Sequence, residues 1–279
     1  MKKTKQKQKQ IKKHTENQEE EITEQQHNIH TYLYKFRFLN REHIQTLLNH
    51  KSRTYVIDWL NDLTKRKYLK RYYTEKMKLA GLPAIYSLWL KGRKYLKKLR
   101  DKEGHKEFKL SQLNRVYREH TTSMAFKIKC MSVAEIYLSL MRLTKNSNAN
   151  LNFFTKVDLK GMKYLIRPEP DAYFAIEEKD KNIKRYFLDL VDIYLPQDDL
   201  EARIRRYINY FKKDYWQDNT GHPFPEIIMI VSNNSLKTSL NNFIAERLDE
   251  ELVGMNFYLS TRQEIKQQGI NRQVLHKVE

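Results

Sequence analysis

Apolar positions follow two patterns along this chain: a spacing of three and four residues in some segments, and alternation or unbroken runs in others. Tyr32, Leu33 and Phe36 share one side of a short helix. After Phe38-Leu39, Asn40 stands as an N-cap for a second helix carrying Ile44, Leu47 and Leu48. The turn Asn49-His50-Lys51-Ser52 ends in another cap. Val56, Leu60 and Leu63 then repeat along a third helix, with Ile57 alongside. Residues 68–73 alternate and are rich in aromatics, Gly81-Leu82-Pro83 makes a turn, and residues 84–88 read as a strand. Two strands around a basic Gly/Pro loop predict a hairpin wing, followed by a helix from about Lys91 to Leu99. Three helices and a hairpin make an N-terminal winged-helix domain over residues 29–100.

The second half changes character. A long helix is predicted from Ser123 to Leu143, with Met124, Ile128, Met131, Tyr137, Leu138 and Met141 as its apolar positions. Four strand candidates follow at residues 151–157, 163–166, 172–176 and 186–193. Pro196 and Asp198-Asp199 open a helix carrying Ile204, Tyr207, Ile208 and Phe211. The run Ile227-Ile228-Met229-Ile230-Val231 suits a strand covered on both faces. A helix with Leu236, Leu240, Phe243, Ile244 and Leu248 and a strand at Phe257-Tyr258-Leu259 complete an α/β (α+β) domain over residues 119–279. Residues 101–118 read as an exposed linker.

Charge locates the partner. The chain has 279 residues and a net charge of +19. Residues 1–28 contribute +2, residues 29–118 contribute +16, and residues 119–279 contribute +1. A basic field confined to the winged-helix segment favours a polyanion, because each neutralised phosphate releases condensed counterions. An anionic membrane is the weaker reading, since the basic residues are not strung along one amphipathic helix. Arg53, Thr54, Tyr55, Asn61, Lys65 and Arg66 flank the apolar stripe of the third helix, and Lys67, Lys70 and Arg71 lead onto the wing. A recognition helix places such residues on base edges and phosphates of double-stranded DNA. Winged helices also serve as protein-interaction modules. Residues 1–28 read as a disordered basic arm, either tracking phosphates or simply solvated, that becomes Glu/Gln-rich from residue 16.

Several classes are excluded or disfavoured. Cys130 has no intrachain partner for a disulfide. No stretch approaches the ~18 apolar residues of a spanning helix, and the opening residues do not resemble a signal peptide, so a cytoplasmic protein is expected. No P-loop, dinucleotide motif or nucleophile elbow occurs among only seven glycines. The nine histidines lack metal-ligand spacing. The acids are more informative. Asp171 immediately precedes a strand, and Asp189 and Asp192 lie within an otherwise apolar one. A carboxylate in a buried strand is costly unless paired or bound to a cation, and two from adjacent strands can hold Mg²⁺. Glu135 on the preceding helix is a candidate third ligand. The alternatives are solvation of Asp192 on an exposed strand face and Glu135 as an ordinary surface acid. Period-two alternation places Asp189 with Phe187 and Val191, opposite Leu188, Leu190 and Asp192.

The ordered set of segments resembles the replication-relaxation family of plasmid and mobile-element proteins. It comprises Phe38-Leu39-Asn40 with Leu47-Leu48, Arg53 with Leu60 and Leu63, and Gly81-Leu82-Pro83-Ala84-Ile85-Tyr86-Ser87-Leu88. Arg118-Glu119-His120, Arg167 with Pro170-Asp171-Ala172-Tyr173-Phe174, residues 187–192, Arg203 with Arg206-Tyr207 and Tyr210, and residues 225–231 extend it. The resemblance implies a winged helix joined to a PD-(D/E)xK nuclease-like αβββαβ core, and in some members a relaxase that nicks a transfer origin. It implies Mg²⁺ or Mn²⁺ held by Asp171 with Asp189 or Asp192 and by Glu135, with Arg206 among the catalytic residues. Val191 stands where the family carries its nuclease lysine, so Lys184, Arg203 or Arg206 would substitute, or the site would be inactive. Two functions follow as expectations: a metal-dependent DNA nickase, or a non-catalytic DNA-binding replication or transfer factor. Other transfer or replication proteins, and a second copy of the chain, are further candidate partners.

Overall fold

A computed structural model describes residues 21–114, 121–191 and 195–279. The first described unit runs α1 (Glu24–Phe36), β1 (Leu39–Asn40), α2 (Arg41–Leu47), α3 (Arg53–Lys65), β2 (Leu69–Tyr72), α4 (Glu75–Leu79), β3 (Ile85–Leu88), α5 (Leu90–Glu103) and α6 (Leu110–Leu113). Side-chain caps start α1, α2 and α3: Thr23 on Gln26, Asn40 on His43 and Ser52 on Tyr55 each satisfy a backbone N–H that the first turn leaves unpaired. Strands β1, β3 and β2 form an antiparallel sheet in that order, with Leu69 opposite Leu88 and Tyr72 opposite Ile85. The expected hairpin is therefore present, but its connection is not a plain loop, because it holds the short helix α4.

The second unit contains α7 (Met124–Ser147), β4 (Asn150–Thr155), α8 (Lys156–Leu159), β5 (Ala172–Glu177), β6 (Ile183–Leu190), α9 (Gln197–Lys212), α10 (Tyr215–Thr220), β7 (Glu226–Val231), α11 (Asn234–Glu251), β8 (Phe257–Thr261), α12 (Arg262–Gln268) and β9 (His276–Lys277). Its strands form one mixed six-stranded sheet in chain order. Strands β4, β5 and β6 are antiparallel, β6, β7 and β8 are parallel, and β9 returns antiparallel. The unbroken apolar run of β7 lies between parallel neighbours and is covered on both faces, as its composition predicts. Alternation along β6 sends Leu188 and Leu190 into one core layer with α7, and Phe187 and Val191 into the other with α9 and α11.

Two expectations need correction. Residues 163–166 are not a strand: Leu165 and Ile166 are buried from an irregular segment, so their apolarity reflects packing without ladder pairing. Within the segment read as an exposed linker, residues 101–114 are described, and there Phe108 and Leu113 are buried while most of their neighbours stay exposed. Phe108 is buried edge-on against Tyr34, with ring centroids 5.1 Å apart, and the Lys109 N–H donates to the Tyr34 hydroxyl at 2.7 Å.

The two units are stapled together. Lys35 Nζ donates to the Phe153 carbonyl at 2.8 Å, and Thr155 Oγ1 returns a bond to the Lys35 carbonyl at 3.0 Å. Lys109 Nζ reaches the Asp158 and Lys160 carbonyls at 2.5 and 2.9 Å. Burial depresses the Lys35 amine, whose ammonium lies 5.4 Å from the Tyr137 ring centre and 6.0 Å from that of Phe153. A line of rings, Phe36, Tyr137, Phe153, Phe174 and Tyr186, runs from α1 across the sheet with successive centroids 4.9 to 5.9 Å apart.

Candidate functional site

Helix α3 turns Val56, Leu60 and Leu63 inward, which leaves Arg53, Thr54, Tyr55, Asn61 and Lys65 on its outer face. Tyr55 is 60% exposed and lies nearly parallel to Trp59, their rings 6.3 Å apart at 25°. Lys67 and Arg71 are also exposed. Arg66 is not part of this surface. Its guanidinium bonds Asp62 at 3.0 Å and covers the Tyr68 ring, while Asp62 also takes Gln26 Nε2 at 2.7 Å. Through Asp62, Arg66 thus ties α3 to α1. Lys70 is half-buried, its ammonium 4.8 Å from the Trp89 ring centre and 5.3 Å from that of Tyr72.

The basic character continues onto the second unit. Lys127 lies over Tyr72 at 4.8 Å and donates to the Thr122 carbonyl at 2.6 Å. Burial, and then the neighbouring Lys70, lower its pKa. One half-turn further along α7, Lys129 Nζ sits 2.7 Å from Asp171 Oδ2, and Lys156 Nζ approaches Oδ1 at 3.8 Å. The backbone fixes Asp171 at this spot: its N–H bonds the Leu188 carbonyl, its carbonyl takes the Lys156 N–H, and its Oδ2 takes the Leu190 N–H at 2.9 Å. Sequence reasoning missed Lys127, Lys129 and Lys156. The signals for them were lysines interrupting an apolar helix and a lysine directly after a strand.

Asp189 is enclosed on the α9 side of the sheet. Arg203 Nε reaches its Oδ2 at 2.8 Å, Arg203 Nη2 its Oδ1 at 3.3 Å, and the Tyr207 hydroxyl donates to Oδ2 at 2.9 Å. Arg203 also bonds the Pro168 carbonyl and the Tyr207 oxygen. Burial alone would raise the Asp189 carboxyl, but Arg203 outweighs it and holds the group below the ordinary carboxylate range. Tyr207 is pushed well above its usual value by burial and by Asp189 beside it.

The remaining sequence candidates lie elsewhere. Glu135 does not join Asp171; its carboxylate is 57% exposed and meets His43 Nε2 at 3.3 Å across the α2–α7 contact. Arg206 is exposed on α9, and the arginine at Asp189 is Arg203, one turn earlier. Lys184 pairs with Glu178 at 2.6 Å. Val191 is buried, with its carbonyl accepting from Arg262 at 3.0 Å. Asp192 and residues 118–120 lie outside the described residues.

The sequence profile of the replication-relaxation family matches residues 31–227, more than two thirds of the chain. The chain belongs to this family. Among curated proteins, none matches this family member. Among solved structures, it is similar to restriction endonuclease FokI bound to DNA, at 12% identity and a TM-score of 0.29, covering 85% of this chain and 43% of that one. Such a similarity carries no weight for fold or function.

The divalent cation implied for the family does not fit the acids of this replication-relaxation protein as they are held. Both oxygens of Asp189 are occupied by Arg203 and Tyr207, so a cation would have to displace a buried guanidinium. Among the described residues, no three His, Cys, Asp or Glu side chains gather in a way that could hold a metal. Asp189 and Glu135 thus stand apart, the first paired with Arg203 and the second with His43.

Proposed function

We propose that this replication-relaxation protein binds double-stranded DNA at an origin-like site as a non-catalytic replication or transfer factor in the cytoplasm. In this reading residues 29–100 act as a winged helix, with α3 entering the major groove. The carrying observation is that Arg53, Thr54, Tyr55 and Lys65 are all exposed on α3, within residues 29–118, whose net charge is +16. The nuclease-like sheet serves as a scaffold whose acids are held in ion pairs, and the Asp189–Arg203–Tyr207 cluster supports that half of the proposal. Further transfer or replication proteins, or a second copy of the chain, would assemble on the bound site.

The binding test uses the full chain and origin-bearing duplex, followed by fluorescence anisotropy across a salt series. Replacing Arg53, Lys65 and Lys67 by Ala is expected to weaken binding by about tenfold or more. If each contacts a phosphate, the slope of log affinity against log salt falls by about 2 to 3. Unchanged affinity and slope would remove α3 from the interface.

Asp171 favours a second reading, because one carboxylate with Lys129 and Lys156 at the end of a sheet suits phosphodiester chemistry. Relaxation of a supercoiled origin plasmid with Mg²⁺ or Mn²⁺ separates the two. The expected result is binding without nicking. Nicking that falls a hundredfold or more in Asp171→Asn would establish the metal-dependent relaxase instead.

A further inference from the structure

The tip between β2 and β3 carries an arrangement that the fold itself does not use. Leu79 is 87% exposed and Leu82 is 53% exposed. They stand on either side of Gly81, whose φ of +64° lies in the left-handed region that favours glycine. A floppy tip could fold such side chains back onto the protein. This one is held. Thr74 caps α4 by accepting from the Met77 N–H at 3.3 Å, and the Leu82 N–H closes the end on the Met77 carbonyl at 2.9 Å. Met77 is buried beside Phe38 and Ile85 and anchors the short helix from below. Its neighbours Lys76 and Lys78 are exposed on the same turns, and Arg71 and Tyr73 lie at the end of β2 nearest the tip. The result is a braced apolar point on an element that also exposes Lys76, Lys78 and one acid, Glu75.

We propose that Leu79 and Leu82 form a wedge that enters the minor groove of duplex DNA and partly unstacks a base step, so that the protein bends the DNA it binds. The inference rests on the DNA-binding reading above and adds a deformation to it. An occupant must be anionic along its edges, to meet Lys76, Lys78 and Arg71, and apolar within, to take two leucine side chains. The space between stacked base pairs, reached from a groove lined by phosphates, has both properties. Flexible pyrimidine–purine steps yield to such a wedge more readily than stiff A-tracts, so the effect depends on sequence at positions where no hydrogen bond is read.

The experiment uses the full chain with end-labelled duplexes of about 30 bp, well below the persistence length, so that energy transfer between the ends reports bending. One duplex has a central TA step and the other an A-tract, and anisotropy measures binding in parallel. Wild-type protein is expected to shorten the end-to-end distance of the TA duplex more than that of the A-tract. The Leu79→Ala/Leu82→Ala variant should bind within about threefold of wild type yet leave the duplex straight, and Leu79→Met should keep the bend. Both positions are solvent-facing, so an unchanged thermal midpoint is expected for these variants. A bend that persists in the double Ala variant, or wild-type binding with no bend, overturns the wedge and leaves the DNA-binding reading standing. Absence of duplex binding by wild type overturns both. Loss of binding to anionic vesicles in the double variant, with its DNA bend unchanged, would assign the leucines to a lipid surface instead.

Discussion

Arg203→Met should destabilise the protein by about 3 to 5 kcal/mol, measured as a fall in the urea midpoint at neutral pH. The substitution keeps much of the volume but leaves the Asp189 carboxylate buried, with the Tyr207 hydroxyl as its remaining described side-chain donor. Its partner substitution supplies the control. In Asp189→Leu/Arg203→Met both charges are gone, and much of the lost stability should return, because an apolar pair has no desolvation penalty to offset. The pair also makes stability depend on acid. Asp189 titrates below the ordinary carboxylate value in the folded chain, so its contribution is complete above about pH 4 and is lost as the pH falls from there toward the depressed folded value. A single variant as stable as wild type would show that Asp189 is solvated, and the objection to a cation at that position would fall with it.

The second large effect belongs to His30. Its ring is fully buried where α1 crosses α5, edge-on to Tyr68 at 5.4 Å and tilted against Tyr95 at 5.0 Å. A Cβ placed on Gly92 would come within 2.5 Å of the Tyr68 carbonyl and 3.1 Å of the His30 ring, so glycine permits this close approach. Nδ1 bonds the Gln26 carbonyl at 2.6 Å, whereas Nε2 is buried without a partner among the described residues. Burial lowers the His30 pKa to about 4, only partly opposed by the Gln26 bond. Between pH 6.5 and about 4 the unfolded chain takes up a proton that the folded chain refuses, so stability rises with pH across this window. The loss on acidification should approach about 3 kcal/mol at the low end. Urea titrations of wild type and His30→Leu from pH 7.5 to 4 check it: the difference between the two curves should shrink as the pH falls. A constant difference would mean that the folded chain takes up the His30 proton as readily as the unfolded chain does.

Local chemistry made much of this fold legible. Asn40, Ser52 and Ser123 cap the helices whose starts they mark, because a cap depends on residues within one turn. The alternation Phe187, Asp189, Val191 against Leu188, Leu190 separates two core layers, since period two is a property of the strand itself. Other features depend on distant partners. Helix α4 has five residues and is anchored by Met77 packing against Phe38 and Ile85. Leu165 and Ile166 have the composition of a strand without a neighbour to pair with. At the candidate site, the positions of Asp171 and Asp189 were legible, but their chemistry was not. Arg203 lies 14 residues from Asp189 and Lys129 comes from another helix, so both ion pairs arise only on folding.

The staple between the two units also has a consequence during synthesis. Lys35 and its acceptor Phe153 are 118 residues apart, so at roughly 5–20 residues per second the acceptor is translated about 6 to 24 s after the lysine. Until then α1, α2, α3 and the small sheet have the contacts of their own core, while the Lys35 ammonium stays hydrated. Docking must then strip that hydration in a step that waits for β4. The order of events is vectorial: the exposed face of α3 can form on the ribosome before the body that will carry it exists.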